Sequence, residues 1–182
     1  MNEIASPGQL RMSFVRWALV TVPLIVILGS FMGYISNSGY DNDWFARLAK
    51  PDLTPPGWVF GVVWPVLYLM LGLAIAMILN ARRAAGRGLA IALFVAQLVA
   101  NLLWSPLFFG MHQVSAALLW LAAIFLLAAG TTYLFARIRP AAAWLMAPYL
   151  AWLCFALLLN FQVDRLNPDA ETLVVGATST QI

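Results

Sequence analysis

The charged residues of this chain fall in clusters, and the stretches between them are uncharged and mostly apolar. The clusters are Glu3, Arg11 and Arg16; Asp41, Asp43, Arg47, Lys50 and Asp52; Arg82, Arg83 and Arg87; Arg137 and Arg139; and Asp164, Arg165, Asp169 and Glu171. The uncharged runs are 17–40, 53–81, 88–136 and 140–163. A helix needs about 20 apolar residues to cross a hydrocarbon core roughly 30 Å thick. Three runs suit one crossing each. Run 88–136 would reach about 74 Å as one helix, so it must cross twice. Its only polar, glycine-led turn is Gly110-Met111-His112-Gln113, where the break is expected. The pattern predicts an all-α integral membrane bundle of five transmembrane helices near 15–35, 57–80, 89–109, 114–136 and 140–162. A segment 1–14 precedes the membrane domain 15–166, and 167–182 reads as a flexible tail. Barrel strands are excluded, because they read as segments of about 10 residues with alternating polarity.

Composition agrees with a membrane setting. Of 182 residues, 63% are hydrophobic and 9% charged, and the mean hydropathy is +0.87. A soluble domain carries roughly 25% charged residues. Five spans place the N-terminus and the second and fourth loops on one face, with Arg11, Arg16, Arg82, Arg83, Arg87, Arg137 and Arg139. The opposite face carries only Arg47, Lys50 and Arg165. The positive-inside rule then puts the N-terminus in the cytoplasm. These arginines account for the +3 net charge without a nucleic-acid partner. The apolar stretch after Arg16 is too long for the core of a signal peptide, and an uncleaved helix is expected.

Conventional catalytic chemistry is scarce. The single histidine, His112, has no cysteine or carboxylate near it in sequence and reads as a solvated turn residue rather than a metal ligand. Cys154 is the only cysteine and lies within the fifth span. No acidic residue lies within a span, which argues against an ion-driven pump. No nucleotide loop or nucleophile motif is present, so no catalytic residue is assigned.

The spans do carry aromatic and amide side chains at helical spacing. Phe60, Trp64 and Tyr68 recur every four residues in the second span. Gln97, Asn101, Trp104 and Phe108 form a stripe in the third, and Tyr149, Trp152, Ala156 and Asn160 one in the fifth. Residues so spaced share a helix face. In lipid the amides should turn inward, either as glue between helices or as the lining of a pocket for a flat, largely apolar ligand. Trp17, Trp44, Trp58 and Trp144 lie near span ends and suit an interfacial belt. In the first loop, Pro51, Pro55 and Pro56 forbid continuous helix and stiffen the chain as it enters the membrane. Such a loop could act as a rigid lid.

The motif Lys50-Pro51-x-x-x-Pro55-Pro56-x-Trp58-Val59-Phe60-x-x-x-Trp64-x-x-Leu67-Tyr68 resembles the signature of the TspO/MBR family of translocator proteins. Gln97-Leu98-x-x-Asn101-x-x-Trp104-x-Pro106-x-Phe108-Phe109-Gly110 and Pro148-Tyr149-Leu150-Ala151-Trp152-x-x-Phe155-Ala156-x-x-Leu159-Asn160 extend the resemblance over roughly 20–166. It implies a five-helix bundle, commonly a homodimer, in a bacterial cell membrane, with a ligand site formed by Phe45, Phe60, Trp64, Tyr68, Asn101, Trp104, Tyr149, Trp152, Phe155 and Ala156. The implied ligand is a porphyrin or related tetrapyrrole, with no permanently bound cofactor and no metal. The implied function is sensing, sequestering or translocating that ligand. The alternatives are light-dependent porphyrin breakdown, in which Trp64 and Trp152 would react, and a regulatory scaffold. Three positions depart from the family pattern: Leu53 where tryptophan is common, Phe45 where some members have tyrosine, and Phe161 in the weak sterol pattern before Arg165. For a dimer, both Gly29-x-x-x-Gly33 and the stripe Ala92, Ala96 and Ala100 offer close approach. The second is favoured, because the first helix should pack its glycines within its own bundle.

Overall fold

Each apolar run folds as helix wherever backbone hydrogen bonds must be satisfied without water. A computed structural model describes residues 7–173. The helices are α1 (Pro7–Ile35), α2 (Asp43–Arg47), α3 (Gly57–Asn80), α4 (Arg87–Ser105), α5 (Val114–Ile138) and α6 (Pro140–Leu166). Five of them are long and apolar enough to span a membrane, and no strand occurs among the described residues. The protein is an all-α membrane bundle.

The second span runs 57–80 as expected, and the break inside the long run falls at 111–113. The other bounds move outward. Helix α1 already begins at Pro7, inside the segment expected to precede the bundle, and residues 1–6 lie outside the described chain. Helix α6 continues to Leu166, because nothing before Asn167-Pro168 breaks it. The third span departs most. Helix α4 gives way at Pro106 to a π-helical turn, Pro106–Gly110, closed by Met111 N–H donating to the Pro106 carbonyl at 2.9 Å. Proline has no N–H to continue the α-helical ladder, so the turn widens.

In the bundle α3 packs against α1, α4 and α6, while α5 packs against α4 and α6. Helix α1 crosses α3 where small residues allow it. A Cβ added at Gly72 would lie 2.6 Å from Val22 Cα, and one at Gly29 would collide with the Tyr68 ring. Thr21 Oγ1 donates to the Gly72 carbonyl at 2.7 Å across the same contact. Gly29 therefore packs within the monomer, and Gly33 faces open space. The turn between α3 and α4 is capped by Arg87, which donates to the Ile78 and Leu79 carbonyls at 3.0 and 2.9 Å. A cation there also suits the negative end of the α3 dipole.

The stretch after α6 is not loose where it is described. Ala170 is buried in a short turn, Ala170–Thr172, and its carbonyl accepts from Trp44 Nε1 at 2.9 Å. Glu171 accepts from Ser115 N–H at the start of α5. Residues 174–182 of the expected tail lie outside the described chain.

Candidate functional site

Two aromatic groups arise from the predicted stripes. The first lies between α3 and α6. Trp64 meets Trp152 edge to face with ring centres 6.4 Å apart, and Phe60 meets Trp152 at 5.7 Å. Trp152 contacts Phe155 at 5.5 Å, and Trp64 contacts Tyr68 at 5.4 Å. All of these except Tyr68 are half-buried, and Ala156 is half-buried beside them.

Behind this array sits a polar base. Tyr68 Oη donates to Asn101 Oδ1 at 3.3 Å, and Tyr149 Oη donates to Gln97 Oε1 at 2.9 Å. Tyr149 and Gln97 are fully buried. Gln97 Nε2 is buried with no hydrogen-bond partner among the described residues. A buried donor without an acceptor costs about 1–3 kcal/mol, so this amide is poised for an acceptor. Tyr149 thus supports the base from within the core. Asn160 lies apart and serves as glue: with its amide oriented by its neighbours, Nδ2 donates to the Val114 carbonyl and Oδ1 accepts from Leu118 N–H, both at 3.2 Å.

The second group lies at the loop end. The π-helical turn brings both Phe108 and Phe109 onto Phe45, with ring centres at 6.1 and 5.2 Å. Trp104 stacks on Phe108 at 5.0 Å and donates from Nε1 to the Ala117 carbonyl at 3.2 Å. Phe45 and Trp104 therefore belong with this cluster, and Trp104 also packs against the main core. The structure does not bring all ten predicted site residues around one space.

The loop itself is latched. Lys50 Nζ donates to the carbonyls of Phe45, Ala46 and Leu48 at 2.7, 3.3 and 3.1 Å. The same ammonium lies 4.6 Å from the Phe45 ring centre, a cation–π contact. Partial burial pushes its pKa below the usual lysine value. Asn167 pairs with both backbone groups of Ala49, accepting its N–H at 2.7 Å and donating to its carbonyl at 2.9 Å. Tyr40 donates to the Pro55 carbonyl at 2.9 Å, and burial raises its phenol pKa.

Trp44 and His112 correct the sequence reading. Trp44 is 1% exposed, not a belt residue, whereas Trp58 and Trp144 are 71% and 77% exposed as a belt requires. His112 stacks on the Trp44 indole with ring centres 4.4 Å apart, so it is part of the cluster rather than a solvated turn. Phe109 stands in the family motif but not among the expected site residues, and Asn167 stands in neither. The motif and Pro106 are the signals for the first, and nothing in the sequence signals the second.

The TspO/MBR family profile matches residues 19–166. The chain is 38% identical over 133 residues to the tryptophan-rich sensory protein of Cereibacter sphaeroides, covering 71% of this chain and 82% of that protein. It is 37% identical over 142 residues to the translocator protein of Homo sapiens, covering 77% and 84%. Protein CrtK of Rhodobacter capsulatus is 32% identical over 133 residues, covering 72% and 83%. With a family profile matching residues 19–166 and relatives matched along most of their lengths, the chain belongs to the TspO/MBR family.

Proposed function

We propose that this membrane protein binds a tetrapyrrole and senses, sequesters or translocates it. One observation carries the reading: a connected array of half-buried rings, Phe60, Trp64, Trp152 and Phe155, backed by a polar base with one unsatisfied amide donor at Gln97. A flat macrocycle is apolar over its faces and offers a few acceptors at its edge. Stacking against indoles would hold the faces, and carboxylate or ring nitrogen acceptors would suit the amide. The test is titration of purified protein with protoporphyrin in the dark, followed by illumination. Saturable quenching of tryptophan fluorescence with no new absorbance band in the light is expected. An unsaturable response overturns the reading.

Light-dependent breakdown of the ligand is a second reading, favoured by the Trp64–Trp152 pair at 6.4 Å. It predicts a new chromophore under illumination that is lost when both indoles are replaced. The proposal also includes a cytoplasmic N-terminus and a homodimer formed through α4, where Ala92 and Ala96 are exposed. Ala100 lies buried, its carbonyl accepting from Trp120 Nε1 at 2.8 Å, so it leaves that surface. Ala96→Phe should convert dimer to monomer in detergent, as read by light scattering. Conversion by Gly33→Leu instead would move the interface to α1.

A further inference from the structure

Two grooves open along one stripe of α6, on the outside of the bundle. The first, of about 490 Å³, lies between the first loop and the end of α6 and is lined by Lys50, Asp52, Leu53, Gln162 and Arg165 among others. The second, of about 560 Å³, lies between α3 and α6 and is almost wholly apolar, with Val66, Met70, Ala151, Trp152 and Phe155 in its walls. Ala151, Phe155, Gln162 and Arg165 follow one another at spacings that keep them on one side of the helix. One end of this track is charged and the other is greasy.

Arg165 is the free cation of the track. Its guanidinium lies 5.2 Å from the Phe161 ring centre, and it has no carboxylate partner among the described residues. Neighbouring Asp164 is turned away, accepting from Ser115 Oγ at 2.6 Å. Lys50 is engaged with three carbonyls. Gln162 Oε1 is buried with no donor among the described residues, and Asp52 on the rim adds a second acceptor. An occupant that matches this end brings an anion for Arg165 and hydroxyl donors for the two acceptors.

The distances fit a lipid. From Arg165 back to Phe155 the helix rises about 15 Å, half of a hydrocarbon core roughly 30 Å thick. Trp58, 71% exposed at the start of α3, lies at this same end of the bundle, where an interfacial indole marks headgroup level. We propose that the track is a specific site for an anionic phospholipid with a hydroxyl-bearing headgroup. The phosphate pairs with Arg165, the headgroup hydroxyls face Gln162 and Asp52, and one acyl chain lies in the α3–α6 groove against Trp152. A neutral sterol would leave Arg165 without a counter-charge. The acyl-chain groove shares Trp152 and Phe155 with the proposed tetrapyrrole array. Arg165, Gln162 and Asp52 lie outside that array, so Arg165→Gln tests the lipid site without touching the tetrapyrrole reading.

The test uses the full chain in nanodiscs of phosphatidylcholine and phosphatidylglycerol, with retained lipids counted by native mass spectrometry. Retention of phosphatidylglycerol over phosphatidylcholine by about fivefold is expected, the effect of one basic residue on an anionic lipid. Arg165→Gln should abolish the preference. Ala151→Trp, which fills the apolar groove, should release the lipid while leaving Arg165 in place. Equal retention of both lipids by the unaltered chain overturns the proposal, as does a preference that survives Arg165→Gln. Retention unchanged by Ala151→Trp removes the acyl-chain groove from it. Displacement of the retained lipid by millimolar inorganic phosphate would show a simple anion site and overturn the lipid assignment.

Discussion

The membrane-buried array and the loop-end cluster are built from the same kind of rings but held by different means. Between α3, α4 and α6, side chains pair with side chains: Tyr68 with Asn101, and Tyr149 with Gln97. At the loop end, side chains pair with backbone: Lys50 with three carbonyls, Asn167 with both groups of Ala49, and Trp44 with the Ala170 carbonyl. Helices in the membrane satisfy most of their own backbone, so the array is tied through side chains. Elsewhere in the bundle Thr21 and Trp120 still donate to the helix carbonyls of Gly72 and Ala100. A proline-rich loop has no such ladder, and its free carbonyls need outside donors. The array is left half-open with one amide unsatisfied, whereas the loop cluster is closed and satisfied. The first is the half-buried array on which the proposed binding rests, and the second is a loop fastened to the C-terminal end of α6.

The largest effect should come from undoing the fastening. Trp44→Ala removes a buried indole, its bond to Ala170 and its stack on His112. Replacing a buried tryptophan by alanine costs about 3–5 kcal/mol. The loop should open, and limited trypsin should cut faster after Arg47, since Pro51 blocks cleavage after Lys50, while the spans stay intact. Unchanged cleavage and melting temperature would mean that the loop is held by its prolines alone.

Next in size is loss of a ring from the array. Trp64→Phe and Trp152→Phe should each weaken porphyrin affinity by up to roughly tenfold, from about 0.5–1.5 kcal/mol of aromatic contact. Protoporphyrin titration of each variant measures it. A comparable loss in Trp104→Phe would sharpen the comparison differently, because it would draw the loop-end cluster into the binding site.

These two regions were unequally legible in the sequence. The spans and the array could be read because charge clusters and four-residue spacing are local signals. Trp64, Tyr68, Asn101 and Trp152 follow directly from period 3.6. The loop cluster depends on contacts between distant residues, such as Trp44 with Ala170 and Ala49 with Asn167. A tryptophan near a span end looks like a belt residue until its partner is seen. The π-helical turn after Pro106 shifts the register, so the stripe that reached Phe108 by spacing could not show that Phe109 joins it.

A smaller effect distinguishes glue from ligand contact in the polar base. Asn101 accepts from Tyr68, and interhelical hydrogen bonds in membranes average only about 0.6 kcal/mol. Asn101→Ala should therefore leave the melting temperature of the empty protein nearly unchanged while lowering porphyrin affinity. The reverse result, a marked drop in melting temperature with constant affinity, would make Asn101 a fastening like those of the loop.

The smallest expected effect is a pH dependence confined to the first loop. Tyr40 donates to Pro55 and packs edge to face on Phe45 at 5.5 Å, and burial raises its phenol above the ordinary value of 10.0. Above that value an opened loop loses the phenolic proton while the closed loop keeps it, so closure weakens as pH rises. Lys50 acts with the opposite sign. Its pKa is lowered from 10.5 by burial, so the opened loop holds the extra proton and closure gains as pH climbs toward that value. Lys50 governs the approach to this range and Tyr40 the region above it. Melting temperature followed from about pH 9 to pH 11 should rise slightly and then fall, and Tyr40→Phe should keep the rise and lose its share of the fall. The phenolate difference spectrum of the two proteins should place Tyr40 ionisation above the ordinary value. A midpoint at or below that value would show that the phenol stays solvated, and the loop would then be fastened by Trp44, Lys50 and Asn167 without it.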